Sequence, residues 1–337
     1  MKMQAVVLWE PKRATLEYME RPDAAAGEMI VAVKAAGICG TDLKIYDGDY
    51  LSPYPLTPGH ELAGTVVSVG SGVSVDWVGR QVGVDPTLTC GTCIFCRSRQ
   101  SNHCLNWGAI GDTVNGGFAE FVAVPAKNVY RLPQDMPAEV GALIEPLACA
   151  EWALERVPVR PGSQALMFGM GPMGVILMRL LLRGGASALT AVDTSPQRLE
   201  LAVQLGASRS VLADSVDSLV EAHPYGFDLV VDATGAAGVM AQAIRFVRPG
   251  GAYLLFGVAA RGTLAAIEPY WIYHREITIY SSMAINQSYA RAVEIAASSS
   301  AVLEPRLVTH TFPLSGYAEA IQAIRAGEGL KIQLRPG

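Results

Sequence analysis

Four cysteines, Cys90, Cys93, Cys96 and Cys104, fall within 15 residues in the spacing C-x2-C-x2-C-x7-C. Thiolates so close together can close tetrahedrally on one zinc ion, with Zn–S bonds of ~2.3 Å. Gly91-Thr92 and Ile94-Phe95 read as loop, so the chain can wrap around an ion. Four protein sulfurs leave no position for water, and such a site is structural rather than catalytic. An iron–sulfur cluster is a second metal reading of C-x2-C-x2-C. Buried or disulfide-bonded cysteines are the reading without metal. His103, beside Cys104, reads as a loop residue.

A second set of donors is scattered. Cys39 lies in Gly37-Ile38-Cys39-Gly40-Thr41-Asp42, His60 in Pro58-Gly59-His60-Glu61 and Glu145 in Glu145-Pro146-Leu147. A thiolate, an imidazole and a carboxylate with one open position form the donor set of a catalytic zinc. Taken singly, each has an ordinary reading: a core cysteine, a hydrogen-bonded histidine, a charge on a helix surface. Distance along the chain does not say whether they meet.

A third pattern, Gly169-Met170-Gly171-Pro172-Met173-Gly174, matches G-x-G-x-x-G. It follows a strand-like run, Ala165 to Phe168, and opens a helix, the context in which the motif holds a dinucleotide pyrophosphate. The helix N-terminus offers amides and partial positive charge to the phosphates. Asp193 ends the next strand, 19 residues after Gly174. A carboxylate there accepts from ribose hydroxyls and repels a 2′-phosphate, which favours NAD over NADP; its other reading is a helix N-cap. Arg198 reads equally as an adenine-stacking group or a surface charge. Gly257, after the strand Ala252 to Phe256, ends a strand facing the same crevice.

The elements that must position these groups come in two rhythms. Up to about Pro137 the chain reads as short strands broken by Gly and Pro: Met29–Ala35, Glu61–Val69, Gln81–Val84, Phe118–Val124 and Val129–Leu132. Glu139 to Arg156 reads as one long helix. From Gln164 strands alternate with helices, the pattern of a doubly wound parallel sheet. Leu303 to Phe312 reads as strand, Gly316 to Ala326 as helix and Leu330 to Leu334 as a last strand that returns to the N-terminal part. The class is α/β.

The 337 residues carry 26 Lys+Arg against 31 Asp+Glu, are 50% hydrophobic and 17% charged, and suit two domains rather than a disordered chain. The mild acidity, without a Lys/Arg run, argues against nucleic-acid binding. The longest apolar stretch, Ala165 to Met178, is broken by glycines and Pro172, which argues against a membrane span. Met1-Lys2-Met3-Gln4 leads straight into a strand-like run with no secretory leader, so a cytoplasmic chain with reduced thiols is expected.

In combination, Gly59-His60-Glu61-Leu62-Ala63-Gly64, the four-cysteine loop, Gly116-Gly117-Phe118-Ala119-Glu120-Phe121 and Glu145-Pro146-Leu147 resemble the zinc-containing medium-chain dehydrogenase/reductase family. Within it the chain is most similar to the polyol (sorbitol) and threonine dehydrogenase branches. The resemblance implies a GroES-like catalytic domain over residues 1–140, a Rossmann domain over 141–285 and a return to the catalytic domain over 286–337. It implies two zinc ions per subunit, the catalytic one on Cys39, His60 and Glu145, with Glu61 as a neighbouring carboxylate. It implies that Thr41 accepts the alcohol proton. Lys44 stands where many relatives carry His, so the outer end of that relay departs from the pattern. Tyr46, Phe118 and Asn286 are the expected pocket wall. The arginine expected near Ala284 in the sorbitol branch is absent, since the chain reads Ser282-Met283-Ala284-Ile285-Asn286. The implied activity is hydride transfer from a secondary alcohol, a polyol or sugar derivative, to NAD, in a homodimer or homotetramer. A threonine-type or simple alcohol dehydrogenase is the alternative within enzymes. A catalytically silent NAD(H)- or metabolite-binding protein of the same fold is the alternative of another class.

Overall fold

The computed structural model describes residues 1–50, 52–298 and 302–337. The chain divides into two compact units, Met1–Ala148 with Ile285–Gly337, and Cys149–Ala284.

In the first unit the strand Glu28–Ile38 is the spine of a seven-stranded sheet. Glu61–Val69 pairs antiparallel along one edge; Lys331–Arg335 and Phe121–Pro125 pair antiparallel with the two halves of the other. The last strand of the chain thus returns to the N-terminal sheet. Met29, Ile30, Val31 and Val33 are all buried, so the spine is covered on both faces. Val6, Leu62, Val82, Phe118, Val122 and Leu334 complete this core, and the helix Tyr317–Arg325 sets Tyr317, Ala320 and Ile321 into it. A hairpin, Lys2–Glu10 with Arg13–Glu20, precedes the sheet. Its second strand alternates polar residues with Ala14, Leu16 and Tyr18 and buries none of them fully.

Two differences from the sequence expectation trace to prolines. The helix over 139–156 is two helices, Ala138–Gly141 and Ile144–Glu155. Pro146 has no N–H to bond back to Ala142, which disfavours a continuous helix; restarting at Ile144 places the proline in a first turn, where no bond is needed. Over 303–312, Pro305 opens a 3-10 turn, Pro305–Leu307, and the strand begins only at Val308.

The second unit is a six-stranded, all-parallel sheet. Its order is Arg209–Leu212, Ala188–Asp193, Gln164–Phe168, Phe227–Asp232, Val247–Leu255, Thr278–Ser281. The first strand in sequence lies in the interior and the chain winds outward to each edge, which is the Rossmann arrangement. Leu166, Phe168, Val192, Val230 and Tyr253 are buried, as a sheet covered on both faces requires. Among the described residues no helix is long and apolar enough to cross a membrane.

Candidate functional site

The four-cysteine loop folds so that its sulfurs converge. Sγ–Sγ separations are 3.5 Å for Cys90–Cys104, 3.9 Å for Cys93–Cys104 and 4.0 Å for Cys90–Cys96. Four sulfurs around zinc at ~2.3 Å stand ~3.8 Å apart, whereas a disulfide needs ~2.05 Å. All four cysteines are free, and the spacing is that of a tetrahedral zinc cage. The Thr92 amide and hydroxyl lower the Cys90 thiol to about 5, towards the thiolate a metal takes. His103 stays outside the cage, its ring 6.1 Å from that of Phe95.

His60 is the hub of the second constellation. It precedes the strand Glu61–Val69 and follows Gly59, whose φ of +99° and 2.5 Å approach to the Phe118 ring exclude a side chain. Its Nε2 stands 3.1 Å from Cys39 Sγ. Donor atoms of His60, Glu61 and Glu145 lie within 4.8 Å of one another, and so do those of Cys39, Asp42 and His60. Cys39 caps the helix Gly40–Asp47, its sulfur accepting from the Thr41 amide at 3.2 Å; Glu145 lies in the first turn of Ile144–Glu155. His60, Glu61 and Glu145 are all buried. Burial opposes a charge on the His60 ring, but Cys39 and the carboxylates of Asp42 and Asp112 outweigh it and hold the ring well above the ordinary histidine value. This field favours a cation at Nε2, and the sulfur, nitrogen and oxygen donors suit zinc.

Three contributors were not singled out in the sequence. Asp42 accepts the Cys39 N–H at 2.9 Å and closes a capping box; burial, the largest influence, pushes its carboxyl up to about 6. The spacing C-x-x-D was its available signal. Asp112 Oδ1 stands 3.2 Å from His60 Nδ1, and its Oδ2 accepts from the Tyr50 hydroxyl at 3.5 Å. Lys331 Nζ donates to both Glu61 oxygens at 2.7 Å in a buried pair. The same carboxylate explains Gly37, where a Cβ would lie 2.0 Å from Glu61 Oε2.

The expected pocket residues have other partners. Phe118 is fully buried and packs on Tyr317 with centroids 5.7 Å apart, so it is core beneath the Gly59-His60 turn and not a pocket wall. Tyr46 donates to the Lys12 carbonyl at 3.1 Å, with the Arg325 guanidinium over its ring. Asn286 is a lock on the cysteine loop: its oxygen accepts from the Ser101 amide and hydroxyl at 3.1 and 2.9 Å, and its amide donates to the Arg99 carbonyl at 3.0 Å. Both ends of its side chain are thereby engaged within that loop.

In the second unit the three glycines of the motif have separate reasons. Gly169 takes φ +92° with Thr234 close by, and a Cβ on Gly174 would meet the Gly169 carbonyl at 1.9 Å. A Cβ on Gly171 would meet nothing, which leaves open space over the N-terminus of the helix Pro172–Arg183, where no side chain caps the free amides. Pro172 opens that helix and Met173 follows it in the first turn. Open space above free amides fits a pyrophosphate. Asp193 is buried; its Oδ2 accepts the Met170 N–H at 2.6 Å and its Oδ1 the Ser195 N–H at 2.8 Å. The helix Pro196–Gln204 is capped by Ser195, whose Oγ accepts the Arg198 N–H at 3.3 Å. Gly257 packs on the Thr234-Gly235 backbone, 2.1 Å from the Gly235 nitrogen to a built Cβ.

Comparison with known proteins agrees with both units. The alcohol dehydrogenase GroES-like domain matches residues 25–134 and the zinc-binding dehydrogenase family matches residues 172–298. The chain is 32% identical to D-arabinitol dehydrogenase 1 of Uromyces fabae, over 99% of this chain and 97% of that one. It is 36% identical to D-altritol 5-dehydrogenase of Agrobacterium fabrum, over 93% of each. A solved structure of a zinc-binding dehydrogenase from Sinorhizobium meliloti 1021, bound to NADP, superposes with a TM-score of 0.96 at 30% identity over 100% of both chains. With these relatives, a GroES-like first unit and a Rossmann second unit, the chain belongs to the zinc-dependent medium-chain dehydrogenases and is an enzyme of their alcohol and polyol dehydrogenase type.

Proposed function

We propose that the protein oxidises a secondary alcohol of a polyol or sugar derivative with NAD, using one zinc held by Cys39, His60 and Glu145 and a second held by the four-cysteine cage. The observation that carries the reading is His60, with Cys39 Sγ 3.1 Å from Nε2 and donor atoms of Glu61 and Glu145 within 4.8 Å of its own. The polyol relatives support the substrate class. When bound, zinc supplies a Lewis acid that acidifies the alcohol, and the nicotinamide supplies the hydride acceptor.

The chain's own groups do the rest. Thr41, two residues beyond Cys39, accepts the alcohol proton on its hydroxyl as it passes its own proton on to water or the ribose hydroxyl. Lys44, three residues on in the same helix and half-buried, takes the place that many relatives give to His in that path. Glu61 stays with Lys331 and balances the local charge. The free amides after Gly171 bind the pyrophosphate. Asp193 is held rigid by two backbone amides, and each of its oxygens keeps a lone pair for a ribose hydroxyl. A 2′-phosphate would press its charge on that fixed carboxylate, so NAD is preferred. Arg198 and Gly257 flank the same nucleotide. Among the described residues the sheet ends at the edge strand Thr278–Ser281, where Ile279 is exposed, and this edge suits a homodimer or homotetramer.

The test is a panel of polyols, sugars and threonine read by coenzyme reduction with NAD and with NADP. The reading expects a polyol with the highest kcat/KM, NAD above NADP, two zinc equivalents per subunit, and loss of turnover but not of the cage zinc in His60→Ala. Threonine at the head of the panel moves the enzyme to the threonine branch. Preference for NADP, the coenzyme bound in the Sinorhizobium relative, removes the role given to Asp193. No turnover of any alcohol with both metals present leaves a silent binding protein.

A further inference from the structure

We infer that Asp112 is the positioning residue that sets the ring of His60 for its metal. This rests on the reading of His60 as a zinc ligand. A ligating imidazole needs its second nitrogen held by an acceptor, which fixes both the tautomer and the ring plane. Two carboxylates flank Nδ1: Asp112 Oδ1 at 3.2 Å and Asp42 Oδ1 at 3.8 Å. Asp42 is already tied to its own helix, its Oδ2 accepting the Cys39 N–H at 2.9 Å. Asp112 Oδ1, Asp42 Oδ1 and His60 Nδ1 are all buried, and among the described residues none of the three meets a well-aligned hydrogen-bond partner. They are left to one another, and Asp112 is the nearer acceptor.

The backbone is built for this approach. Gly116 N–H donates to the Thr57 carbonyl and Gly117 N–H to the Gly59 carbonyl, both at 2.7 Å, and the Asn115 side chain accepts the Thr57 N–H at 2.9 Å. A Cβ on Gly111 would lie 2.5 Å from the Gly59 carbonyl carbon, and one on Gly116 2.3 Å from its oxygen. The turn over 111–117 therefore lies directly against the turn that carries His60, which delivers a carboxylate from position 112 to the imidazole. The other Asp112 oxygen meets the half-buried Tyr50 hydroxyl at 3.5 Å. Asp112 thus joins the ligand histidine to Tyr50.

The test compares the zinc-loaded Asp112→Asn, Asp112→Leu, Asp42→Asn and His60→Ala enzymes with the wild type. Zinc per subunit is measured after equilibration against graded chelator, and the visible spectrum after cobalt(II) exchange. Loss of an orienting partner costs about 10- to 100-fold in metal affinity. Asp112→Leu is expected to fall in that range at one metal only, with the cage zinc and the melting temperature kept and the cobalt bands shifted. Asp112→Asn, which keeps the shape and an accepting oxygen, is expected to fall less, and it decides the matter if the leucine variant does not fold. Asp42→Asn is expected to weaken that metal less than Asp112→Leu. Wild-type affinity and spectrum in both Asp112 variants, while His60→Ala loses one equivalent, overturn the role of Asp112 and leave the zinc reading intact. Retention of both equivalents by His60→Ala overturns the zinc reading, and the inference with it.

Discussion

Replacing Lys331 by Met removes the cation from a buried pair and leaves Glu61 beside Cys39 and Glu145. Both side chains are almost wholly buried, 4% exposed for Lys331 and 3% for Glu61, and the ammonium touches both carboxylate oxygens at 2.7 Å. Removing one member of such a pair costs about 3–5 kcal/mol, because the remaining charge keeps its desolvation penalty without its partner. In a unit of about 200 residues each kcal/mol moves the melting point by about 2–4 °C, so the zinc-loaded Lys331→Met protein should melt roughly 6–20 °C below wild type. Replacing the whole pair, Lys331→Met with Glu61→Met, should recover most of that loss, since an apolar pair of similar volume is often neutral or stabilising. Burial disfavours the ammonium, but Glu61, with Cys39 and Glu145, outweighs it and raises Lys331 above the ordinary lysine value. The pair's contribution is therefore complete below about pH 10.4 and lost only as pH rises through the folded value. The deficit of the single variant should stay constant from pH 6 to about 9. The assay is thermal melting of the wild type, both single variants and the double variant. A single-variant loss under about 1 kcal/mol, or strict additivity in the double, refutes a coupled buried pair.

Three further outcomes are expected. Cys96→Ser should lose one zinc equivalent and lower the melting temperature while coenzyme binding by the second unit persists, as elemental analysis and NADH fluorescence would read; retained zinc contradicts the cage. Gly171→Ala should fold normally, because its Cβ meets nothing, yet weaken NAD at least tenfold, whereas Gly174→Ala, 1.9 Å from the Gly169 carbonyl, should cost stability first; calorimetry and melting curves separate the two. His223, whose ring lies 4.3 Å from that of Phe227, is held below the ordinary histidine value by burial and by Arg209. The unfolded chain then takes the proton first, so stability is full above about pH 6.5 and falls as pH drops towards the folded value. His223→Asn should flatten that slope in melting curves from pH 5 to about 8.

What could be read from the sequence was what is local. The four cysteines are held by one short loop, so their spacing carries their geometry, and Sγ separations of 3.5–4.0 Å follow from it. The glycine motif was legible for the same reason: strand, turn and helix are contiguous, and each glycine has a steric role within them. Over 139–156 the Ala and Leu content points to one helix, while the missing N–H of Pro146 sets where the second helix begins.

The supports of the second constellation had no such signal. Asp112 is one carboxylate in a turn and Lys331 one lysine in a strand, and neither belongs to a motif; the fold brings turns 59 and 111–117 into backbone contact and pairs Lys331–Arg335 with Glu28–Ile38. Asn286 shows the reverse error. Ala284 and Gln287 on either side take φ of 42° and 59°, a left-handed backbone that no glycine announces. These turns aim the side chain at Arg99 and Ser101. Donor identity is therefore written in residue type, while the direction in which a donor points is set by backbone angles and distant neighbours. For this reason the groups that hold His60, rather than His60 itself, are where a variant series will be most informative.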